Sequence, residues 1–376
     1  MAKSLADHLF GAGPKRILAL DGGGIRGVIS LGILERIESI VGTPLSDYFD
    51  LIGGTSTGAI IAAGLAHGWP VRKIGELYDR LGADIFRRST FRLGLLRPKF
   101  PAEPLRRALE DAFEDHRLGG PELRTGLAVI AKRLDSGSPW VLHNNPEGKY
   151  FNAREGSSAV PNSRYLISDI VRASTAAPSY FEPERIRVSA DVEGAFVDGG
   201  VSPHNNPSLQ LVLLACLEGY KLKWELGRDK LLIASVGTGS WDARHDPTKL
   251  LEQNAAANAV QSLLSMMNDA AALNELMLQW LSNSPTARRI DSEVGALESD
   301  VFGKHDPWLS YLRYDAPIEL DWLKRHLPEE SFTEKDVERL REMDRPDSMA
   351  LLAKIGKAAA DDVKPEHFPA AFAVET

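Results

Sequence analysis

Short apolar runs alternate with amphipathic stretches along the first seventy residues of the chain. Residues 16–20 (RILAL) form an apolar run that predicts a buried strand, and apolar side chains recur at helical spacing over residues 28–41. A second short strand is predicted over residues 48–54, followed by a helix of small residues over 57–68. Strand, tight turn and helix therefore occur twice, which predicts a parallel sheet with helices packed on it.

The later part of the chain continues this pattern and then changes. Further strands are predicted over residues 127–134, 139–144, 194–199 and 230–237, and further helices over 104–115, 168–177, 207–219 and 248–282. Beyond about residue 290 the composition becomes charged and helical in character. The segment 318–364 predicts a small helical appendage that is broken at Pro328 and Pro346.

Composition and charge narrow the class of protein. The 376 residues are 43% hydrophobic and 26% charged, as in ordinary globular proteins, and the formal net charge of -8 argues against a nucleic-acid polymer as partner. Cys216 is the only cysteine, so no intrachain disulfide can form, and no Cys/His cluster has metal-ligand spacing. No apolar run approaches the roughly 18 residues of a membrane span. We expect a soluble, cytoplasmic protein whose membrane contact is peripheral.

The pentapeptide GTSTG (54–58) lies between a predicted strand and a predicted helix. A serine on such a sharp turn projects its hydroxyl from the carboxyl edge of the sheet, and the backbone on either side is so crowded that glycine fits best. The helix N-terminus that follows places N–H groups and a positive dipole end beside Ser56. A glycine-rich turn that merely closes a βα unit explains the pentapeptide equally well.

A second glycine-rich motif, DGGGIRG (21–27), directly follows the first predicted strand. Its three consecutive glycines leave unhindered N–H groups that can hold an oxyanion. The G-x-G-x-x-G pattern from Gly22 to Gly27 also matches the dinucleotide-binding fingerprint. That fingerprint requires an acidic residue at the end of the next strand, but Asp47 and Asp50 precede or begin it. An oxidoreductase that binds a nicotinamide or flavin cofactor remains an alternative.

A third motif, Asp198-Gly199-Gly200, ends the predicted strand over residues 194–199. An aspartate there would lie at the same carboxyl edge of the sheet as Ser56, although Asp-Gly-Gly is also a common turn. A Ser-His-Asp triad remains open, with His204 as the best candidate histidine. Against a triad, only one predicted strand precedes the strand before Ser56, whereas the α/β-hydrolase frame places several strands before its nucleophile.

The three motifs in this order resemble the patatin-like phospholipase family. Two further stretches support the resemblance: RASTAAPSYFEP (172–183) is similar to the family's A-S-x-A-A-P-x-Y-F segment, and NNP (205–207) follows the DGG motif as in the family. The resemblance covers residues 14–245 and implies a three-layer α/β/α patatin-like fold with a mostly parallel central sheet. Residues 14–245 would then be the catalytic domain, and residues 246–376 a helical C-terminal region packed on it, with a regulatory or oligomerising role.

The resemblance also implies a reaction and its residues. Ser56 would be the nucleophile and Asp198 its general base, in a dyad without histidine that cleaves carboxylic ester bonds of membrane glycerolipids through an acyl-enzyme. Because an exposed carboxylate is a weak base, Asp198 would need a pKa raised by partial burial. No metal or cofactor is implied. The oxyanion hole would comprise Gly22, Gly23 and Gly24, supported by Arg26, Gly27, Gly54, Gly58, Gly199 and Gly200.

The resemblance points to a membrane lipid as substrate and leaves several partners open. Residues 84–101 mix cationic and apolar side chains, so they predict either a lid that touches anionic headgroups or a loop whose arginines pair with the surplus acids. Some bacterial proteins similar to this one are lipases switched on by cyclic nucleotides, so such an activator remains open. A homo-oligomer and a non-catalytic lipid-binding protein remain open as well.

Overall fold

A mixed β-sheet forms the centre of the fold. The computed structural model describes residues 3–85, 98–242, 255–297, 300–302 and 306–373, and in them the sheet has nine strands in the order β5-β6-β3-β2-β1-β7-β9-β8, with β4 paired to β3. The strands are β1 (Lys15–Leu20), β2 (Leu51–Thr55), β3 (Gly126–Arg133), β4 (Ser138–His143), β5 (Glu184–Arg187), β6 (Glu193–Asp198), β7 (Leu231–Val236), β8 (Ser282–Asn283) and β9 (Leu309–Tyr314). Neighbouring strands are parallel along the run β3-β2-β1-β7-β9-β8. The pairs β3–β4, β3–β6 and β5–β6 are antiparallel.

Helices cover both faces of the sheet. They are α1 (Leu5–Phe10), α2 (Gly27–Val41), α3 (Leu45–Tyr48), α4 (Thr57–Ala66), α5 (Val71–Ile85), α6 (Glu103–Phe113), α7 (Ile167–Ser174), α8 (Ser208–Cys216), α9 (Ala255–Leu281), α10 (Leu320–His326), α11 (Glu334–Arg341) and α12 (Met349–Ala359). Alternate residues of β1 point to opposite faces, so Leu18 and Leu20 join one apolar core while Ile17 and Ala19 join another. The predicted three-layer α/β/α architecture is confirmed.

The predicted elements near the N-terminus agree with the structure apart from their edges. Strand β2 begins at Leu51 rather than residue 48, because residues 45–48 form the short helix α3. Helix α5 was not predicted, although Ile74, Leu77, Tyr78 and Leu81 have helical spacing and are buried. Residues 84–85, predicted as the start of a loop, end this helix, and residues 86–97 of that loop lie outside the described part of the chain.

The C-terminal region is helical as predicted, but it is not only a helical appendage. Strands β8 and β9 belong to it and extend the central sheet beyond β7, with every strand in this part parallel. Helix α12 also packs on α2 so closely that a Cβ on Gly32 would lie 2.6 Å from the carbonyl carbon of Gly356. Strand β9 was missed because its polar Ser310 and Arg313 are buried and find their partners only in the folded chain.

Strand β3 changes its partner at the point where the site forms. Along one edge it pairs with β4, and along the other edge it pairs first with β2, up to Ile130 opposite Thr55, and then with β6, from Ala131 opposite Asp198. The carboxyl ends of β2 and β6 therefore meet end to end. Asp198 lies at the expected edge of the sheet, but β6 arrives there as an antiparallel strand, not as a parallel one.

Among the described residues, the structure has no helix both long and apolar enough to cross a membrane.

Candidate active site

Ser56 stands on a strained turn between β2 and α4. Its backbone has φ 57° and ψ -126°, a conformation that L-residues rarely adopt and that functional sites often hold. The neighbouring glycines permit the turn: a Cβ on Gly54 would lie 2.1 Å from the carbonyl oxygen of Gly58, and a Cβ on Gly58 would lie 2.3 Å from that of Leu20. The G-x-S-x-G spacing is thus required by backbone contacts, as predicted from the sequence.

Asp198 and Ser56 lie together at this edge of the sheet. The Asp198 carboxylate accepts a hydrogen bond of 2.7 Å from the N–H of Gly200, and Asp198 and Ser56 line the same cavity. Burial raises the pKa of Asp198 to about 6, while Ser56, Gly200 and the charge of Arg172 act to lower it. The carboxyl group is therefore a stronger base than an exposed aspartate and is still ionised at neutral pH.

The glycine loop of the DGGGIRG motif runs beside Ser56. A Cβ on Gly22 would lie 3.0 Å from that of Ser56. Two of the three predicted oxyanion donors are already engaged: the N–H of Gly22 donates to the Asn205 carbonyl at 3.1 Å, and that of Gly23 donates to the Thr57 hydroxyl at 3.2 Å. The N–H of Gly24 has no acceptor among the described residues.

Contacts from the C-terminal region hold both ends of this loop. Asp21 accepts a hydrogen bond of 2.8 Å from the Arg313 guanidinium of β9, and the N–H of Ile25 donates to the Met343 carbonyl at 2.9 Å. Sequence reasoning missed Arg313 and Met343, since nothing in the local pattern near residue 313 or 343 relates them to the motif. Only the pairing of β9 with β7 brings Arg313 to Asp21.

Arg313 lies in a buried network of charges. It also donates to the Asp315 carboxylate at 2.9 Å and to the Ser235 hydroxyl at 2.8 Å, and its Nε lies 3.7 Å from Glu275. Burial raises the pKa of Asp21 to about 6, with Arg313 acting in the opposite direction. A buried charge set of this kind keeps its members in place because each would be costly to leave unpaired.

Arg26 lies behind the glycine loop. Its guanidinium carbon is 4.8 Å from the centre of the Trp241 ring, and its Nε donates to the Gly23 carbonyl at 3.4 Å. The side chain is buried, and burial lowers the pKa of Arg26 to about 10. These contacts fit the expected role of Arg26 in supporting the loop, because its guanidinium bonds the loop's own backbone.

An apolar cavity of about 370 Å³ opens beside these groups. Ser56, Asp198 and the glycine loop lie along part of its wall, and the remainder is mostly hydrophobic, as in sites that take apolar ligands. The wall includes Ser56, Asp198, Gly23 and Gly24, and among its apolar side chains Ile25, Ile60, Leu81, Leu105, Phe181, Met267 and Met343.

His204 forms its hydrogen bonds near the site through its backbone. Its carbonyl accepts the Thr55 hydroxyl at 2.6 Å and its N–H donates to Ser202 at 3.3 Å, whereas its ring Nδ1 is buried with no hydrogen-bond partner among the described residues. Burial also lowers the pKa of the His204 ring. The structure thus does not bring the ring into a hydrogen bond with Ser56 or Asp198, as a triad would require.

Asp50 lies at the amino end of β2. It is fully buried, and its carboxylate contacts the His8 ring at 2.9 Å and the Arg16 side chain at 3.2 Å. This position is at the opposite end of the strand from Ser56 and the glycine loop. Asp50 is therefore not placed to hold a ribose beside the G-x-G-x-x-G pattern, which weakens the dinucleotide alternative.

One group of side chains in the described residues is spaced to hold a metal ion. Glu114, Asp115 and His116 follow α6, and their ligand atoms lie within 4.8 Å of one another. The two carboxylates are exposed, and none of the three residues lines the cavity. This group is separate from Ser56 and Asp198.

The sequence of the chain is similar to those of known proteins. The family model described as patatin-like phospholipase matches residues 18–212. Over 195 residues the chain is 35% identical to a protein named cUMP-AMP-activated phospholipase from Escherichia coli, which covers 52% of this chain and 57% of that protein. Over 246 residues it is 31% identical to a cGAMP-activated phospholipase from Escherichia coli strain TW11681, covering 62% and 65%.

A plant relative is also similar. Patatin-03 from Solanum tuberosum is 25% identical over 287 residues, which cover 70% of each chain. This chain spans less than two-thirds of the length of the bacterial relatives named above, at 57% and 65%.

Proposed function

The chain belongs to the patatin-like phospholipase family, and we propose that it is a lipid acyl hydrolase of the phospholipase A type. It cleaves carboxylic ester bonds of membrane glycerolipids and contacts the membrane peripherally. The observation that carries this proposal is the placement of a buried serine and a buried aspartate of raised pKa on the wall of an apolar cavity. The cavity suits an acyl chain, and the serine stands where the ester of that chain would lie.

The reaction follows from the positions of the two side chains. Asp198 takes the proton of the Ser56 hydroxyl as its oxygen attacks the ester carbonyl, since a serine hydroxyl is a poor nucleophile without a base. The lipid alcohol then leaves with the proton held by Asp198. Water attacks the acyl-enzyme in the same way, and the fatty acid is released. With a pKa near 6, Asp198 supplies the carboxylate at neutral pH.

The glycine loop stabilises the oxyanion of the tetrahedral intermediates. Gly24 offers the N–H that is free in the described structure, and Gly23 becomes a second donor when the Thr57 hydroxyl turns away from it. Gly22 supports the loop instead, because its N–H is bound to a backbone carbonyl. Loss of one such donor in comparable sites costs on the order of 10²–10³ in rate.

The remaining assignments rest on the sequence and the relatives. Residues 14–245 act as the catalytic domain and residues 246–376 as the regulatory or oligomerising region, although the two share one sheet. Two relatives are named for activation by cUMP-AMP and by cGAMP. By analogy, a cyclic nucleotide of this kind is the activator of this chain.

Fatty-acid release from mixed phospholipid vesicles tests the proposal. Wild type, Ser56→Ala, Asp198→Asn and His204→Ala are compared with and without cGAMP or cUMP-AMP, and each variant is checked by its melting curve. We expect release by wild type, a loss on the order of 10⁴-fold in Ser56→Ala and Asp198→Asn, and activity within tenfold of wild type in His204→Ala.

Three other results would contradict the proposal in different ways. Loss of activity in His204→Ala with Asp198→Asn still active would indicate a triad. A rise in melting temperature with a nicotinamide or flavin cofactor, without ester hydrolysis, would indicate an oxidoreductase. Vesicle binding by a protein that hydrolyses neither lipid nor short esters, with either nucleotide present, would indicate a lipid-binding protein.

A further inference from the structure

The end of helix α7 is bonded to the backbone of both Ser56 and Asp198. The Ser174 hydroxyl accepts the N–H of Ser56 at 2.8 Å and donates to the Ile130 carbonyl at 2.6 Å. Two residues further on, the carbonyl of Ala176 accepts the N–H of Asp198 at 3.0 Å. A span of three residues thus contacts the backbone of the proposed nucleophile and of the proposed base.

These bonds lie at the break in the edge of β3. Ile130 is the last residue of β3 that pairs with β2, and the following residue pairs with Asp198 of β6. The N–H of Ser56, one residue past the end of β2, therefore has no strand to bond to. Ser174 supplies the acceptor, and its own hydrogen satisfies the carbonyl of Ile130.

The contact does more than complete the end of a helix. Thr175, the next residue, already bonds the carbonyls at the end of α7, with its hydroxyl 3.1 Å from that of Val171 and 3.0 Å from that of Arg172. Ser174 is fully buried and points away from its own helix toward the sheet. A hydroxyl is needed there because it must accept one hydrogen bond and donate another.

We propose that Ser174 is a positioning residue of the reaction: it holds the strained backbone of Ser56 so that the Ser56 hydroxyl faces the Asp198 carboxylate. The inference deepens the proposed function and rests on its assignment of Ser56 and Asp198. The Ser56 backbone is in the left-handed region at φ 57°, so it needs fixed contacts to remain there. Misplacing a reacting group by about 1 Å can cost on the order of 10²-fold in rate.

Helix α7 also provides a matched control. Ser168 is another buried serine of this helix, and its hydroxyl has no hydrogen-bond partner among the described residues. Ser168→Ala therefore removes the same atom from the same helix without touching Ser56. Ser174→Ala removes the bond, and Ser174→Cys keeps the approximate volume but bonds weakly, which serves if the alanine variant does not fold.

The kinetic test uses a water-soluble p-nitrophenyl ester, with and without cGAMP or cUMP-AMP, because the proposed function includes activation by such a nucleotide. In the full chain we expect Ser174→Ala and Ser174→Cys to lower kcat by 10- to 100-fold with KM within twofold of wild type, and Ser168→Ala to keep kcat within twofold. A Ser174 variant that melts at a lower temperature but keeps its kcat would overturn the inference, because the hydroxyl would then stabilise the fold alone.

A second measurement does not depend on activity. Hydrogen exchange of the peptide that covers residues 54–58 should become at least tenfold faster at Ser56 in the Ser174 variants, and should not change in Ser168→Ala. Unchanged exchange at Ser56 would overturn the inference. If exchange at Ser56 responds but neither wild type nor any variant hydrolyses esters, the hydrogen bond holds the backbone as described. The proposed function is then wrong, and the role of Ser174 in the reaction is wrong with it.

Discussion

The turn at Ser56 and the glycine loop line the same cavity but are held by different parts of the chain. The turn at Ser56 is fixed by Leu20, Ser174 and Asp198, all within the segment that the family model matches. The middle of the glycine loop is bonded by Asn205 and Thr57 of the same segment, but both of its ends are held from beyond it, by Arg313 at the start and by Met343 at the end.

This difference shows what each part of the chain contributes. The segment that matches the family model carries the side chains that are proposed to react, together with their immediate supports. The C-terminal region contacts the glycine loop, whose backbone is proposed to hold the oxyanion. A disturbance in the C-terminal region should therefore affect the glycine loop before it affects the Ser56–Asp198 pair.

The largest expected effect comes from removing the anchor of the glycine loop. Arg313→Met leaves the buried Asp21 without its guanidinium partner, and breaking a buried ion pair in this way costs about 3–5 kcal/mol. We expect the free energy of unfolding in urea to fall by this amount and kcat to fall with it. Asp21→Asn combined with Arg313→Met should recover part of the stability, because both charges are then gone.

Arg339 provides the control for this experiment. It pairs with Asp347 on the surface, where both side chains are about half exposed, at 50% and 51%. Arg339→Met should cost about 0–1 kcal/mol, as exposed ion pairs do. Equal losses in Arg313→Met and Arg339→Met would show that the buried network does not anchor the loop.

Two glycine substitutions compare the rigidity of the two regions. An alanine Cβ at Gly58 meets the Leu20 carbonyl of β1 at 2.3 Å, and one at Gly24 meets the Met343 carbonyl at 2.4 Å. Leu20 is paired within the sheet, whereas Met343 lies in a turn between two helices, which we expect to adjust at a lower cost than a strand. We expect Gly58→Ala to lower the free energy of unfolding by about 3 kcal/mol and Gly24→Ala by about 2 kcal/mol.

Gly42→Ala separates the cost of a positive φ from the cost of a steric clash with the added Cβ. Gly42 has φ 67°, close to the 60° of Gly24, but open space surrounds its Cβ position. Its substitution should cost about 1 kcal/mol from the backbone alone. The free energies of unfolding are measured in urea or by heating. If Gly24→Ala and Gly42→Ala lose the same amount, the alanine at position 24 does not clash with the Met343 carbonyl.

Substitution of Asp198 should change stability in the opposite direction. Because the pKa of Asp198 in the folded protein, about 6, exceeds its usual 3.8, the folded state binds more protons between these values and stability falls as pH rises through them. At pH 7 the buried charge is therefore destabilising. Asp198→Asn should raise the free energy of unfolding at pH 7 by about 3 kcal/mol, since each pKa unit corresponds to roughly 1.4 kcal/mol.

The pH dependence distinguishes this effect from a change in packing. The gain in stability of Asp198→Asn over wild type should disappear below about pH 4, where the carboxyl group is protonated in both states. Wild-type kcat should rise with pH around a midpoint near 6, as the base becomes ionised. A gain in stability that is the same at pH 4 and pH 7 would contradict a buried carboxylate as its cause.

Local patterns were sufficient to predict much of the parallel core and the positions of the two residues that are proposed to react. The runs that became β1, β3 and β7 are apolar almost throughout, because strands covered on both faces have no solvent-exposed side. The turn at Ser56 was predicted because the need for Gly54 and Gly58 lies within five residues, and Asp198 because its DGG motif ends an apolar strand and follows the other motifs in family order.

Tertiary structure alone decided how these pieces meet. The pairing of β3 first with β2 and then with β6 places Asp198 beside Ser56 from an antiparallel strand, and the pairing of β9 with β7 brings Arg313 to Asp21. The Asn205 carbonyl likewise engages the N–H of Gly22. Each of these contacts joins residues more than sixty positions apart, and a helical or strand period describes only neighbours. The sequence therefore determined the local backbone of the residues that are proposed to react, while the pairing of distant strands determined their geometry and their supports.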